Sequence, residues 1–203
     1  MFSSAPLGIV KQRLGIDRVI YDEWVFGRDH SRVTWKKLDD LQFPLIVLPY
    51  VDTLTDIVFA GFNWERSSDG PHYRYVNDPA SATLDDIKNE CLFFYQPVIE
   101  VLCNAFLWGN KGQKDSCVQV KVFEGKNGRL LQVIDQGDGF DYGDVIKKFQ
   151  AGEVFWHHQG NGSRTLASNP LVHLCYAHHG SSANLAVPFP DGIAYRSIGV
   201  KVA

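Results

Sequence analysis

Residues 130–141 read LLQVIDQGDGFD, an apolar run that ends on a carboxylate, Asp135, and turns at once on two glycines. The apolar residues predict a buried strand. A carboxylate at its end would be costly to bury without a partner, and Gly137 and Gly139 let the backbone come close to whatever the acid holds. The stretch predicts a strand that presents an acid to a ligand. The alternative is an ordinary Asp/Gly turn after a strand.

The composition predicts a globular protein with a full core. The 203 residues are 45% hydrophobic and 13% aromatic, so we expect one domain with an extension or two small domains. The formal net charge of −3 gives no basic footprint for nucleic acid or anionic lipid. No apolar run reaches the length of about 18 residues typical of a membrane span, and residues 1–15 lack a signal-peptide pattern. We therefore expect a cytoplasmic protein that binds neither nucleic acid nor membrane.

A helical pattern precedes the strand. Apolar residues keep helical spacing over 87–105 up to a stop at Gly109, and Pro97 should kink the region or begin a second helix. On the second segment, Glu100 and Asn104 are four residues apart and share one face. Two interpretations stay open: a solvated helix face, or a carboxylate base beside an amide metal ligand.

Strands and turns surround the central stretch. The pattern predicts a strand over 117–123, a hairpin loop over 124–128 and a return strand ending at Asp135, which should then face the helix. A short helix is expected over 142–149, and strand, turn and strand over 173–189.

A second glycine pair, Gly160 and Gly162, leads into a further predicted helix. Free backbone N–H groups, the helix dipole and Arg164 would attract an anion there. With glycines at both ends, residues 141–162 should form a mobile lid.

The first eighty residues carry weaker signals. Strands are expected at 33–35 and 45–48, a short helix at 52–62, and a turn-rich boundary or exposed loop over 63–82. We therefore divide the chain into 1–82, a region of unknown role that could pack on the core, and 83–203.

Several familiar sites are excluded by spacing. The chain has no P-loop motif and misses the dinucleotide G-x-G-x-x-G pattern by one residue. A calcium loop after Asp135 fails, because glycines stand where oxygen ligands are required. Adjacent histidines at 157–158 and 178–179 diverge, which argues against a transition-metal site. The four cysteines are far apart and favour buried thiols over zinc or disulfides.

Three motifs in order resemble the GHKL-type ATP-binding superfamily of gyrase, heat-shock chaperones, histidine kinases and MutL. Its N, G1 and G2 boxes match EVLCNA at 100–105, DQGDG at 135–139 and GNG at 160–162. The GFD that ends the central stretch is most similar to the anti-sigma-factor serine-protein kinases. The resemblance covers about residues 83 to 190. It implies a Bergerat-type fold: an α/β (α+β) two-layer sandwich with a mixed, largely antiparallel sheet, helices on one face, and ATP beneath a lid.

The resemblance also implies a role for each matched residue. Asp135 would accept a hydrogen bond from the adenine amino group, Asn104 would hold Mg²⁺, and Glu100 would be the general base. Further nucleotide-binding positions would be Gly137, Gly139, Gly160, Gly162, Ser163, Arg164 and Ser182, the last standing where the family usually has threonine.

We expect a soluble regulatory kinase that binds ATP and ADP and phosphorylates a partner protein on serine. Such a kinase could also form a homodimer. Two departures from the family, Trp108 in place of histidine and Ser163 in place of a hydrophobic residue, affect the phosphate side. The alternative is therefore a nucleotide-gated protein-binding module with little or no catalysis.

Overall fold

The computed structural model describes residues 5–25, 35–38, 41–44, 48–60, 62–67, 70–75, 94–111, 116–151, 166, 169 and 171–189. They form an α+β fold built on a five-stranded sheet. The elements are α1 (Leu7–Leu14), β1 (Ile16–Val25), β2 (Trp35–Leu38), β3 (Leu41–Pro44), α2 (Leu48–Val58), β4 (Phe62–Ser67), β5 (Gly70–Tyr75), α3 (Gln96–Cys103), β6 (Val118–Gly125), β7 (Gly128–Ile134), α4 (Tyr142–Gln150), β8 (His173–Ala177) and β9 (Ser182–Pro188).

The main sheet has the strand order β1-β6-β7-β9-β8, and every ladder in it is antiparallel. A mixed sheet was expected, and no parallel pair occurs among the described strands. The centre is β7, which pairs Leu131 with Val122 on one side and with Leu185 on the other. The strand that ends at Asp135 is thus flanked on both sides. Separate two-stranded sheets are formed by β2 with β3 and by β4 with β5.

The core follows from the alternation of side chains along β7. Leu131 and Val133 point to one face and join the main apolar cluster together with residues of α2 and α3. Leu130 points to the other face and joins a smaller cluster with Val10 and Leu14 of α1. The main core therefore has two layers, as expected. However, α1 covers part of the second face, where no helix was predicted.

A buried ion pair between β6 and β7 also holds the segment that follows α2. Arg129 of β7 donates from Nε to Oε2 of Glu124 at 2.9 Å and from Nη1 to the carbonyl oxygen of Ala60 at 2.9 Å. Both charged side chains are almost fully buried, with 1% and 2% exposure. Arg18 of β1 pairs with the other Glu124 oxygen. Since a buried charge without a partner is costly, these contacts must be retained together.

Most local predictions in the second half of the chain are confirmed. The helix around Pro97 continues from α3 into a π turn, Asn104–Gly109, and stops where expected. The β6–β7 hairpin forms, although pairing of Gly125 with Gly128 shortens its loop. The helix α4 is capped by Asp141, whose Oδ1 accepts from the Asp144 N–H at 3.0 Å. The segments β8 and β9 are joined by a 3-10 turn, His178–Gly180.

Predictions for the first half were less accurate. The prediction of a strand over 45–48 is wrong at its last residue, because α2 begins at Leu48. The helix that was predicted from residue 52 therefore starts earlier than expected. Pro49 lies in the first helical turn, where proline is accepted. The turn-rich segment expected as a boundary or exposed loop contains the β4–β5 hairpin.

Neither α1 nor β1 was predicted. Two register shifts break the side-chain alternation of β1, so its period-2 signal is lost. This strand brings part of region 1–82 into the main sheet. The boundary at 82/83 itself stays a prediction, because residues 76–93 lie outside the described residues. None of the described helices combines the length and apolar character needed to cross a membrane.

Candidate active site

The site is organised around Asp135, which follows the last residue of β7. Its backbone N–H donates to the Ser181 carbonyl oxygen at 3.0 Å, and its Oδ1 accepts from the Gly137 N–H at 2.9 Å. The carboxylate is half-buried and has no cationic partner in the described part of the chain. Burial raises the pKa of Asp135 above its usual value, and the Gly137 hydrogen bond partly opposes that shift. A carboxylate in this setting is suited to accept a hydrogen bond from a ligand.

Two glycines bring the end of the π turn into direct contact with Asp135. A methyl group at Gly109 would lie 2.3 Å from Cγ of Asp135, and one at Gly137 would lie 2.0 Å from the Gly109 carbonyl oxygen. Neither glycine has a positive φ. Close approach, rather than backbone conformation, therefore requires glycine at these two positions.

Asn110 joins the same two segments through its side chain. It is 4% exposed, donates from Nδ2 to the Cys117 carbonyl oxygen at 3.0 Å, and accepts at Oδ1 from the Gln136 N–H at 2.7 Å. Gln136 completes the arrangement, since its Oε1 accepts from the Cys117 N–H at 2.7 Å. The end of the helix, the start of β6 and the loop after Asp135 are thereby connected. We call this set the Asn110 clamp.

The turn between β8 and β9 supports the far end of the loop. Gly139 has a φ of 74°, and a methyl group there would lie 2.1 Å from the His179 carbonyl oxygen. The Phe140 N–H donates to that same oxygen at 2.8 Å. His178 and His179 both adopt positive φ, which is uncommon for residues other than glycine. The predicted glycine requirement at 139 thus has two causes, positive φ and close approach.

Glu100 and Asn104 lie one turn apart at the end of α3, and both are half-buried. Oε1 of Glu100 accepts from Nε2 of Gln96 at 2.8 Å. Burial raises the pKa of Glu100 above its usual value, and the hydrogen bond from Gln96 acts in the opposite direction. Asn104 begins the π turn that ends against Asp135. One continuous helical segment therefore carries both residues and also contacts the carboxylate.

Ser182 lies apart from this group. It pairs with Ile134, so its side chain points to the sheet face opposite Val133. Its hydroxyl oxygen accepts from Nε2 of Gln132 at 3.3 Å and from Nδ2 of Asn184 at 3.2 Å. The side chain is fully buried in this polar cluster, and Ser182 lines neither of the two clefts next to the loop after Asp135.

The residues that the sequence resemblance places near the phosphates, Gly160, Gly162, Ser163 and Arg164, lie outside the described residues, as does most of the predicted lid beyond α4. Leu166, two positions after Arg164, is fully buried in the main apolar cluster. Position 166 therefore belongs to the main core.

Two open clefts border the loop that follows Asp135. One, of about 350 Å³, lies between the end of the π turn and that loop, and is lined by Gly109, Asn110, Lys111, Ser116, Gln136, Gly137 and Asp138. The other, of about 600 Å³, is lined by residues 138–143 and His179. Phe140, which is 40% exposed, borders the second cleft and packs edge-on against Tyr176.

Sequence reasoning did not identify Gly109 and Asn110 as site residues. Their signal was the dipeptide that ends the helix, which was interpreted only as a stop. Among the described residues, no three histidine, cysteine or acidic side chains group so as to bind a metal by themselves. Cys103 and Cys175 are buried free thiols, as predicted, whereas Cys117 is a free thiol that is only half-buried and Cys91 lies outside the described residues. No family model, curated protein or solved structure matches this chain.

Proposed function

We propose that this chain binds Mg-ATP in the manner of the GHKL superfamily and acts as a regulatory serine-protein kinase. The observation that carries the proposal is the environment of Asp135. A half-buried carboxylate, which has no cationic partner among the described residues, follows the central strand, and a helix that bears a second carboxylate and an amide packs directly against it. This helix precedes the strand along the chain, in the order that the sequence resemblance implies, whereas the third motif, at 160–162, lies outside the described residues.

Adenine recognition follows from the chemistry of the acid. The exocyclic amino group of adenine is a donor, and a partly desolvated carboxylate is a strong acceptor for it. Inosine triphosphate (ITP) carries an acceptor oxygen at that place and would be repelled by Asp135. Discrimination between ATP and ITP is therefore the direct measure of this role.

The phosphate side is assigned to Asn104 and Glu100. The amide oxygen of Asn104 is a hard ligand, and Mg²⁺ commonly takes its remaining ligands from phosphate oxygens and water, so a single side chain fits such a site. Bound Mg²⁺ would neutralise charge on the phosphates. The raised pKa of Glu100 suits a group that accepts the proton of the attacking serine hydroxyl.

Calorimetric titration with Mg-ATP and Mg-ITP tests the proposal. Wild type should prefer ATP, and Asp135→Asn should lose about tenfold or more in ATP affinity, because a hydrogen bond to a charged group is worth about 1.5–3 kcal/mol. Asp22→Asn on β1 is the matched control; it removes a surface ion pair with Lys121 and should bind as wild type does. Equal ATP affinity for wild type and Asp135→Asn would overturn the assignment.

The second candidate is a nucleotide-gated binding module. It is favoured by Trp108, which is 55% exposed where the resembled family carries histidine beside the phosphates. Tight ATP binding without hydrolysis or transfer would select it over the kinase.

A further inference from the structure

We propose that Asn110 is a positioning residue that fixes the adenine-reading carboxylate relative to the helix of the phosphate side. This inference rests on the proposed function and deepens it, since it assigns the specificity of the site to a residue that need not touch the nucleotide. It concerns the distance between Asp135 and the pair Glu100 and Asn104.

Asn110 caps the π turn that continues α3. Its backbone N–H donates to the Ala105 carbonyl oxygen at 2.8 Å, a bond that spans five residues and closes the π turn. Ala105 follows Asn104 directly in the sequence. Any displacement of Asn110 is therefore transmitted to the turn that carries the predicted metal ligand.

Both ends of the buried side chain are occupied by backbone of other segments. Oδ1 accepts from the residue immediately after Asp135, and Nδ2 donates to the residue before β6. One such hydrogen bond from the side chain would be enough to close a local turn. Its two bonds instead join the helix end to both strands of the central hairpin.

The helix end and the loop after Asp135 have little freedom to move relative to one another. Gly109 lies against the Asp135 carboxylate and Gly137 lies against the Gly109 carbonyl group, so the two segments touch through main-chain atoms. At the rim, Nζ of Lys111 lies 3.2 Å from Oδ2 of Asp138. That pair is exposed and contributes little energy. The hydrogen bonds of the buried Asn110 side chain therefore determine how the two segments are aligned.

Loss of the Asn110 clamp should therefore change the preference between ATP and ITP rather than weaken the binding of both nucleotides. Without the clamp, the loop after Asp135 can shift relative to the helix, and the carboxylate no longer meets the adenine amino group. ITP gains no hydrogen bond from that carboxylate and is repelled by it in wild type, so ITP affinity should stay unchanged or rise when the carboxylate moves away. The preference for ATP over ITP should fall by about tenfold.

The test is calorimetry of Asn110→Ala with Mg-ATP and Mg-ITP, after circular dichroism has established the folded fraction. A purely structural role would lower that fraction and leave the ATP:ITP ratio of the folded protein unchanged. The matched control is Asn127→Ala, which removes an asparagine bond to the Arg13 carbonyl oxygen at the opposite end of the hairpin and should keep the ratio.

A second pair of variants keeps the inference testable if Asn110→Ala does not fold. Gln136→Ala removes an exposed side chain that holds the Cys117 N–H, and should lower the ratio in the same direction. Gln136→Glu retains an acceptor oxygen and should restore it. An unchanged ratio in every folded clamp variant would overturn the inference. If wild type itself shows no preference for ATP over ITP, the proposed function is wrong and this inference falls with it.

Discussion

Replacing Gly109 with alanine tests the joint between the helix and Asp135 with one methyl group. That methyl would lie 2.3 Å from Cγ and 2.4 Å from Oδ2 of Asp135. Non-bonded carbon atoms sit about 3.5–4.0 Å apart, so the carboxylate or the helix end must move by about 1 Å or more. The contact between Gly137 and the Gly109 carbonyl group opposes a simple sideways shift of the backbone.

A movement of that size exceeds the tolerance of a hydrogen bond, whose donor–acceptor distance varies over about 2.7–3.2 Å. Losing one charged hydrogen bond to adenine corresponds to about 1.5–3 kcal/mol, or about a 10- to 150-fold rise in the Kd for ATP. Overpacking costs about 1–3 kcal/mol of folding free energy, and alanine recovers up to about 1 kcal/mol in a helix. The protein should therefore stay folded and lose ATP recognition.

The assay is titration of Gly109→Ala with Mg-ATP and Mg-ITP, with urea unfolding measured in parallel. Gly8→Ala is the control, because Gly8 also lies in a helix and, apart from its chain neighbours and its own helix backbone, no described atom would come within 4 Å of its new methyl group. ATP affinity within about twofold of wild type in Gly109→Ala would refute the reasoning, since the carboxylate could then move without consequence.

Three further predictions concern catalysis, pH and stability. Glu100→Ala should keep ATP affinity and lower γ-phosphate release or transfer by about 10²–10⁴-fold; tight binding by an inactive wild type would exclude the kinase. Because burial raises the pKa of Asp135, ATP affinity should fall as the pH is lowered through that raised value and level off above it, whereas calorimetry of Asp135→Asn across the same pH range should show no such step. Arg129→Met should lower the free energy of unfolding by about 1.5–3 kcal/mol in urea, because buried Glu124 loses one of its two arginine partners and keeps only Arg18, and adding Glu124→Leu should recover part of it; an unaltered midpoint in the single variant would contradict this.

The sequence by itself determined the elements whose patterns are local. The apolar run before Asp135, the alternation of β6, the Asn-Gly turn, and the helical spacing around Pro97 each carry their own signal within a few residues. The strand, hairpin and helix at the centre of the site could therefore be predicted together with the positions of Glu100, Asn104 and Asp135 on them.

Tertiary structure decided everything that depends on register or on contacts between distant segments. Two register shifts break the period-2 pattern of β1, and α1 is recognised only by the apolar residues that it covers. Pairing of Ser182 with Ile134 places that hydroxyl on the sheet face opposite Val133. A shift of one residue in this pairing would have placed it on the other face of the sheet. Gly109 and Asn110 look like an ordinary helix stop until the chain brings them against Asp135, because close approach between segments leaves no local pattern in a sequence.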